Sequence, residues 1–254
     1  MKVAAVQHDV EWLDRAANFV RLGRMISEAA QNGARLVVLS EMFSTGFAVG
    51  DTWSDDLPEP RGGESSEFLI ASAQRHSVWV AGSCPERVTG ENRPANTLVL
   101  ASPDGIVHRY EKIHPFTYGG EDKYFRAGDH SVTVDVEGLA VSLFVCYDLR
   151  FADRFWELAD HTDLYLVPAN WPVSRAAHWS TLLEARAIEN QAYVVGVNRV
   201  GTGGNLTYGG GSRIIGPFGE DLARAGDAET IIYADVTAQH VKDIRAKFPF
   251  LVDR

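Results

Sequence analysis

Apolar residues recur along this chain with two alternating periods. Short runs at 3–6, 36–39, 78–81, 164–167 and 193–197 have the length and β-branched content of buried strands. Between the first two, 13–30 carries Ala16, Phe19, Met25, Ile26 and Ala29 at near-helical spacing and stops at Asn32-Gly33, a helix-ending pair. Further helices are predicted over 65–74, 152–159, 176–189 and 238–247. Strands 96–101 and 106–110 flank Ser102-Pro103-Asp104-Gly105, and 132–136 and 139–145 flank Glu137-Gly138, so both pairs read as hairpins. A third hairpin turns around Gly216-Pro217-Phe218-Gly219 and leads to a strand over 231–234. Helices alternating with apolar strands imply sheet faces covered by helices, and the hairpins imply mixed strand directions. The pattern predicts a layered α/β fold, and its length is compatible with one domain over 1–254.

Composition narrows the function. A net charge of −10 argues against a nucleic-acid partner, which requires a basic face. It also denies an anionic ligand any help from the overall field, so a substrate carboxylate needs a local cation. Two cysteines make no disulfide framework and suit a reducing compartment. The amino terminus enters a strand pattern without a basic-then-apolar leader, and no apolar run approaches the roughly 20 residues that span a bilayer. The expectation is a cytoplasmic protein with no membrane partner.

Three segments deliver reactive groups at strand ends. The run Val141-Ser142-Leu143-Phe144-Val145 stops at Cys146, Leu36-Val37-Val38-Leu39-Ser40 delivers Glu41, and Val107-His108-Arg109-Tyr110-Glu111 delivers Lys112. Singly, each has an ordinary reading as a small buried side chain, a loop cap or a solvated charge. Together they form a set for acyl transfer: a thiol whose pKa falls beside a cation, a carboxylate that takes and returns a proton, and an ammonium for the developing charge. Cys84, followed by Pro85, lacks such neighbours.

The segments Leu39-Ser40-Glu41-Met42-Phe43, Tyr110-Glu111-Lys112-Ile113-His114 and Cys146-Tyr147-Asp148-Leu149-Arg150-Phe151 resemble, in order, the three signature blocks of the nitrilase (carbon-nitrogen hydrolase) superfamily. The resemblance extends over essentially the whole chain. Pro168-Ala169-Asn170-Trp171-Pro172 and the stretch 185–193 look most like its bacterial ω-amidase branch, whose members hydrolyse 2-oxoglutaramate and related acids. It implies a four-layer α-β-β-α sandwich with mixed sheets, a homodimer, and a small-molecule amide substrate. It implies Cys146 as nucleophile, Glu41 as general base and then acid, and Lys112 as the cation beside the tetrahedral intermediate. The Tyr147 N–H would be a second oxyanion donor, and no metal or organic cofactor is called for.

Other residues follow from the same blocks. Glu121 matches a second glutamate that family members place near the lysine, against the reading of a solvated loop carboxylate. Trp171 and Phe43 would wall the pocket, and Asn170 would bond either substrate or a turn. Gly209-Gly210-Gly211 departs from relatives with a polar residue before the serine, which puts a pocket role there in doubt. Arg150, about one helical turn beyond Cys146, would fork onto a substrate carboxylate, or else pair with Asp148 or Asp153 and only brace the loop. The competing functions are an N-carbamoyl amino acid hydrolase or aliphatic amidase of the same superfamily, a Cys-His hydrolase using His114 or His178, and a metabolite-binding pseudoenzyme.

Overall fold

The computed structural model describes residues 1–253; Arg254, the last position of the expected domain, lies outside the described residues. The first half runs β1 (Lys2–Gln7), α1 (Arg15–Gln31), β2 (Leu36–Val38), β3 (Glu59–Pro60), α2 (Glu64–His76), β4 (Trp79–Arg87), β5 (Ala95–Ala101) and β6 (Val107–Glu111). A short α3 (Glu121–Tyr124) precedes β7 (Thr133–Val136), β8 (Leu139–Leu143), α4 (Ala152–Leu158), β9 (Leu164–Pro168), α5 (Ala176–Asn190) and β10 (Tyr193–Val197). The chain closes with β11 (Val200–Gly203), β12 (Leu206–Gly209), β13 (Arg213–Ile215), β14 (Asp221–Arg224), β15 (Thr230–Asp235) and α6 (Ala238–Lys247). Asp14 caps α1, its carboxylate accepting from the Ala17 N–H, so the helix starts two residues later than the apolar pattern alone predicts.

One sheet has the order β15-β1-β2-β4-β5-β6, with β3 on the side of β4, and a second has the order β14-β13-β10-β9-β8-β7. Both are mixed. β1, β2 and β4 run parallel, as do β8, β9 and β10, while the predicted hairpins supply the antiparallel edges.

Period-two alternation sets the layers. Val3, Ala5, Leu36 and Val38 point into a core shared with Val141, Leu143, Leu166 and Val195 of the second sheet. Their neighbours Ala4, Val6, Val37 and Leu39 face the other way, onto Leu22, Ile26 and Ala29 of α1 and Leu69 and Ala73 of α2. Phe155 of α4 and Leu183 and Ala187 of α5 cover the far face of the second sheet. Each fully buried aliphatic side chain contributes about 1.5–3 kcal/mol, so the alternation pins the register of both sheets. The result is the α-β-β-α sandwich that the resemblance implies. Among the described residues no helix is long and apolar enough to cross a membrane.

Candidate active site

Glu41, Lys112 and Cys146 follow the ends of β2, β6 and β8, and the sandwich brings them to the bottom of one cleft. Glu41 is fully buried and held from three sides. Its Oε1 accepts from Lys112 Nζ at 2.9 Å and from Asn96 Nδ2 at 2.8 Å, and its Oε2 accepts from the Asn170 N–H at 2.9 Å. Lys112 Nζ also donates to Glu121 Oε2 at 2.8 Å, and Asn96 Nδ2 reaches Glu121 Oε1 at 3.0 Å. Burial opposes the charge on Lys112, yet Glu121 and Glu41 outweigh it and hold the ammonium well above its ordinary pKa. Glu121 is itself pushed up by burial against the pull of Lys112.

Glu121 is thus no solvated glutamate. It is buried behind Lys112 and does not line the cleft, so it positions the lysine rather than touching a substrate. Asn170 braces the Glu41 segment and lines the cleft. Its Nδ2 donates to the Glu41 carbonyl at 2.6 Å, while its Oδ1 is buried without a partner on a residue that lines the cleft.

Cys146 opens a 3₁₀ turn, Cys146–Arg150, with a left-handed backbone at φ 46°. That conformation is costly for any residue with a Cβ, so it has to be held by its surroundings. Asp148 does much of this. Its carboxylate accepts from the Val145 N–H at 2.9 Å, Tyr110 Oη at 2.8 Å and the His114 N–H at 3.0 Å, and His114 Nδ1 lies at 2.9 Å. These bonds tie the nucleophile turn to the segment that carries Lys112.

The thiol departs from the sequence expectation of a lowered pKa. Burial, and then the charge of Glu41, push Cys146 well above its ordinary value despite Lys112. The lysine's charge is already engaged by Glu41 and Glu121, so it does not offset these two effects. Alkylation of Cys146 by iodoacetamide in the substrate-free protein should therefore accelerate about tenfold per pH unit between roughly pH 7 and 9, following the thiolate fraction. A rate independent of pH over that range would indicate a preformed thiolate instead.

The cleft is narrow, with a cavity volume of about 40 Å³. Trp171 and Tyr147 line it as expected. Phe43 does not: it follows the left-handed Met42 (φ 47°) and is buried against Phe19 and Phe68 beneath α1 and α2. Phe47 takes the wall position, with Lys112 Nζ 5.6 Å from its ring centroid. Arg150 lines the cleft, although the 3₁₀ geometry does not stack it one α-turn from Cys146. It lies 4.9 Å from the Trp171 ring and 3.1 Å from His178 Nδ1, and neither Asp148 nor Asp153 pairs with it. Gly211, the residue before Ser212, has a left-handed backbone at φ 73°, which strains any side chain placed there, although the space around it has room for one.

Among the described residues no histidine lines the cleft. His114 is stacked on Phe151 at 3.6 Å and bonded to Asp148, and His178 meets Arg150, so neither is placed as a base for Cys146. Cys84 is buried in the helix-facing core. Sequence reasoning missed Asn96, Phe47, Arg175 and Tyr208. Asn96 is the second residue of the apolar strand β5 and gives no local signal, and Tyr208 belongs to the β11–β12 hairpin, which has no apolar alternation.

Residues 2–246 match the model of the carbon-nitrogen hydrolase family. The chain belongs to that family and is an amidohydrolase. It is 38% identical over 252 residues to an ω-amidase of Escherichia coli (strain K12), covering 98% of this chain and 94% of the relative. It is 31% identical over 257 residues to a 2-oxoglutaramate amidase of Bacillus subtilis (strain 168), covering 99% and 96%. A solved carbon-nitrogen hydrolase superfamily protein of Xanthomonas campestris, with an arsenic adduct in its active site, superposes with a TM-score of 0.92. It shares 33% identity, over 100% of this chain and 97% of that one.

Proposed function

We propose that this protein is an ω-amidase, hydrolysing the terminal amide of a short 2-oxo acid such as 2-oxoglutaramate through a thioester on Cys146. The observation that carries the reading is one cleft with Glu41, Lys112 and Cys146 at its floor and the Arg150 guanidinium, free of any carboxylate partner among the described residues, on its wall. The names of the relatives support the same substrate class.

In this mechanism Glu41 takes the thiol proton as sulfur attacks the amide carbon. Lys112 and the Tyr147 N–H stabilise the oxyanion, and Glu41 returns the proton to the departing ammonia. Water activated by Glu41 then releases the acid. Glu121 holds Lys112, Asn170 holds Glu41, and Trp171 shapes the wall.

Ammonia release from a panel of amides tests the reading. The rate should be highest for an ω-monoamide carrying a carboxylate, ahead of a neutral aliphatic amide and an N-carbamoyl amino acid. Arg150→Met should lose roughly 10–150-fold in kcat/KM on the acid, as expected for a charged hydrogen bond of about 1.5–3 kcal/mol, and far less on the neutral amide. Equal losses would assign Arg150 to bracing the nucleophile turn.

We read residues 1–254 as one domain, a reading supported by the Met1 amino group bonding the Val236 carbonyl at 2.8 Å and by β1 pairing with β15. We also infer a cytoplasmic homodimer. An exposed apolar patch of Ile188, Phe218 and Phe250 beside α5 supports pairing, and a light-scattering mass of a single 27.9 kDa chain would overturn it.

A further inference from the structure

We infer that Arg175 is a second anion-recognising residue of the cleft, and that with Arg150 it selects a 2-oxo acid over the corresponding 2-amino acid. The inference rests on the ω-amidase reading above. Both guanidinium-bearing residues are half-buried and line the same cleft. They sit on adjacent rings: Arg175 lies 5.3 Å from the Phe116 centroid and Arg150 6.0 Å from that of Tyr147, and these two rings are 4.9 Å apart. Trp171 joins them, because its ring lies under Arg150 and its indole N–H donates to the Arg175 carbonyl at 2.9 Å.

Other buried arginines of this protein are neutralised. Arg186 pairs with Glu189 at 2.8 Å, Arg199 with Asp9 at 3.3 Å, and Arg213 with Asp221 at 2.6 Å and Glu184 at 3.3 Å. Among the described residues neither Arg150 nor Arg175 has a carboxylate partner, in a chain whose net charge is −10. Glu41, the one carboxylate among the described residues lining the cleft, is engaged by Lys112 at the floor. Apart from the Glu41–Lys112 pair, the cleft lining therefore carries two cationic side chains and, among the described residues, no carboxylate.

A single carboxylate is satisfied by one forked guanidinium. The second guanidinium is left for the atom next to it. In a 2-oxo acid that atom is a carbonyl oxygen, which accepts a hydrogen bond. In a 2-amino acid it is an ammonium, which two guanidinia repel, and a repulsive element of this kind creates specificity without added affinity for the right substrate.

The test measures kcat/KM on 2-oxoglutaramate, glutamine and a neutral amide of the same length, for wild type, Arg175→Met, Arg175→Lys and Arg150→Met. Arg175→Met should lose about 10–100-fold on the oxo acid, lose far less on the neutral amide, and hold or gain on glutamine, so the oxo-to-amino ratio collapses by at least about tenfold. Arg175→Lys should keep part of that ratio, while Arg150→Met should lower both acids alike. Equal losses on the two acids in Arg175→Met, or an unchanged ratio, overturn the inference and leave the ω-amidase reading standing. A wild-type enzyme that handles the neutral amide as well as either acid overturns the ω-amidase reading, and this inference with it.

Discussion

Cys146→Ala abolishes ammonia release from every amide substrate and leaves the thermal midpoint within a few degrees of wild type. The two halves of this expectation have separate causes. The activity is lost because among the described residues no other thiol lines the cleft; Cys84 is buried in the helix-facing core. Stability is kept because one sulfur atom at the cleft floor is small and the turn is held by Asp148, whose bonds do not involve the thiol. A loss of about 1 kcal/mol would shift the midpoint of a domain of this size by roughly 2–4 °C. Cys84→Ala is the control: it removes a buried core atom yet should retain turnover, measured by the same ammonia assay.

Lys112→Met should fail in both respects. Removing an oxyanion-stabilising cation costs about 10²–10³-fold in kcat. It also leaves Glu41 and Glu121 facing each other through Asn96 in a fully buried site. Breaking a buried ion pair from one side typically costs about 3–5 kcal/mol, so the thermal midpoint should drop well beyond that of Cys146→Ala. Glu41→Gln should lose about 10²–10⁴-fold, the usual worth of general acid–base help. Near-normal turnover in Lys112→Met would contradict the role given to Lys112 as the cation beside the oxyanion.

Much of this was readable in the sequence because it is local. Helix α6 and strand β10 coincide with their predicted spans, and three hairpins fall where turn residues interrupt apolar alternation. The reactive trio was legible because each member follows a strand end. What escaped depends on distant partners. The β11–β12 hairpin has a glycine-rich, polar sequence and is anchored by the buried Arg199, which donates to the carbonyls of Val10, Val200 and Thr202 and lies over Tyr208. The exchange of Phe43 for Phe47 on the pocket wall comes just after a left-handed residue, Met42, that carries no glycine signal. The direction of the thiol's pKa escapes a sequence reading because its largest cause is burial, followed by the charge of Glu41, and the depth at which Cys146 sits depends on how the two sheets pack.

The most direct test of the central role given to Cys146 is acid-quench mass spectrometry during single turnovers of wild-type enzyme with 2-oxoglutaramate. The account predicts a transient adduct of substrate minus ammonia on the peptide carrying Cys146, released by hydroxylamine as a thioester would be. An adduct on any other residue, or complete hydrolysis with Cys146 unmodified at every quench time, would contradict it.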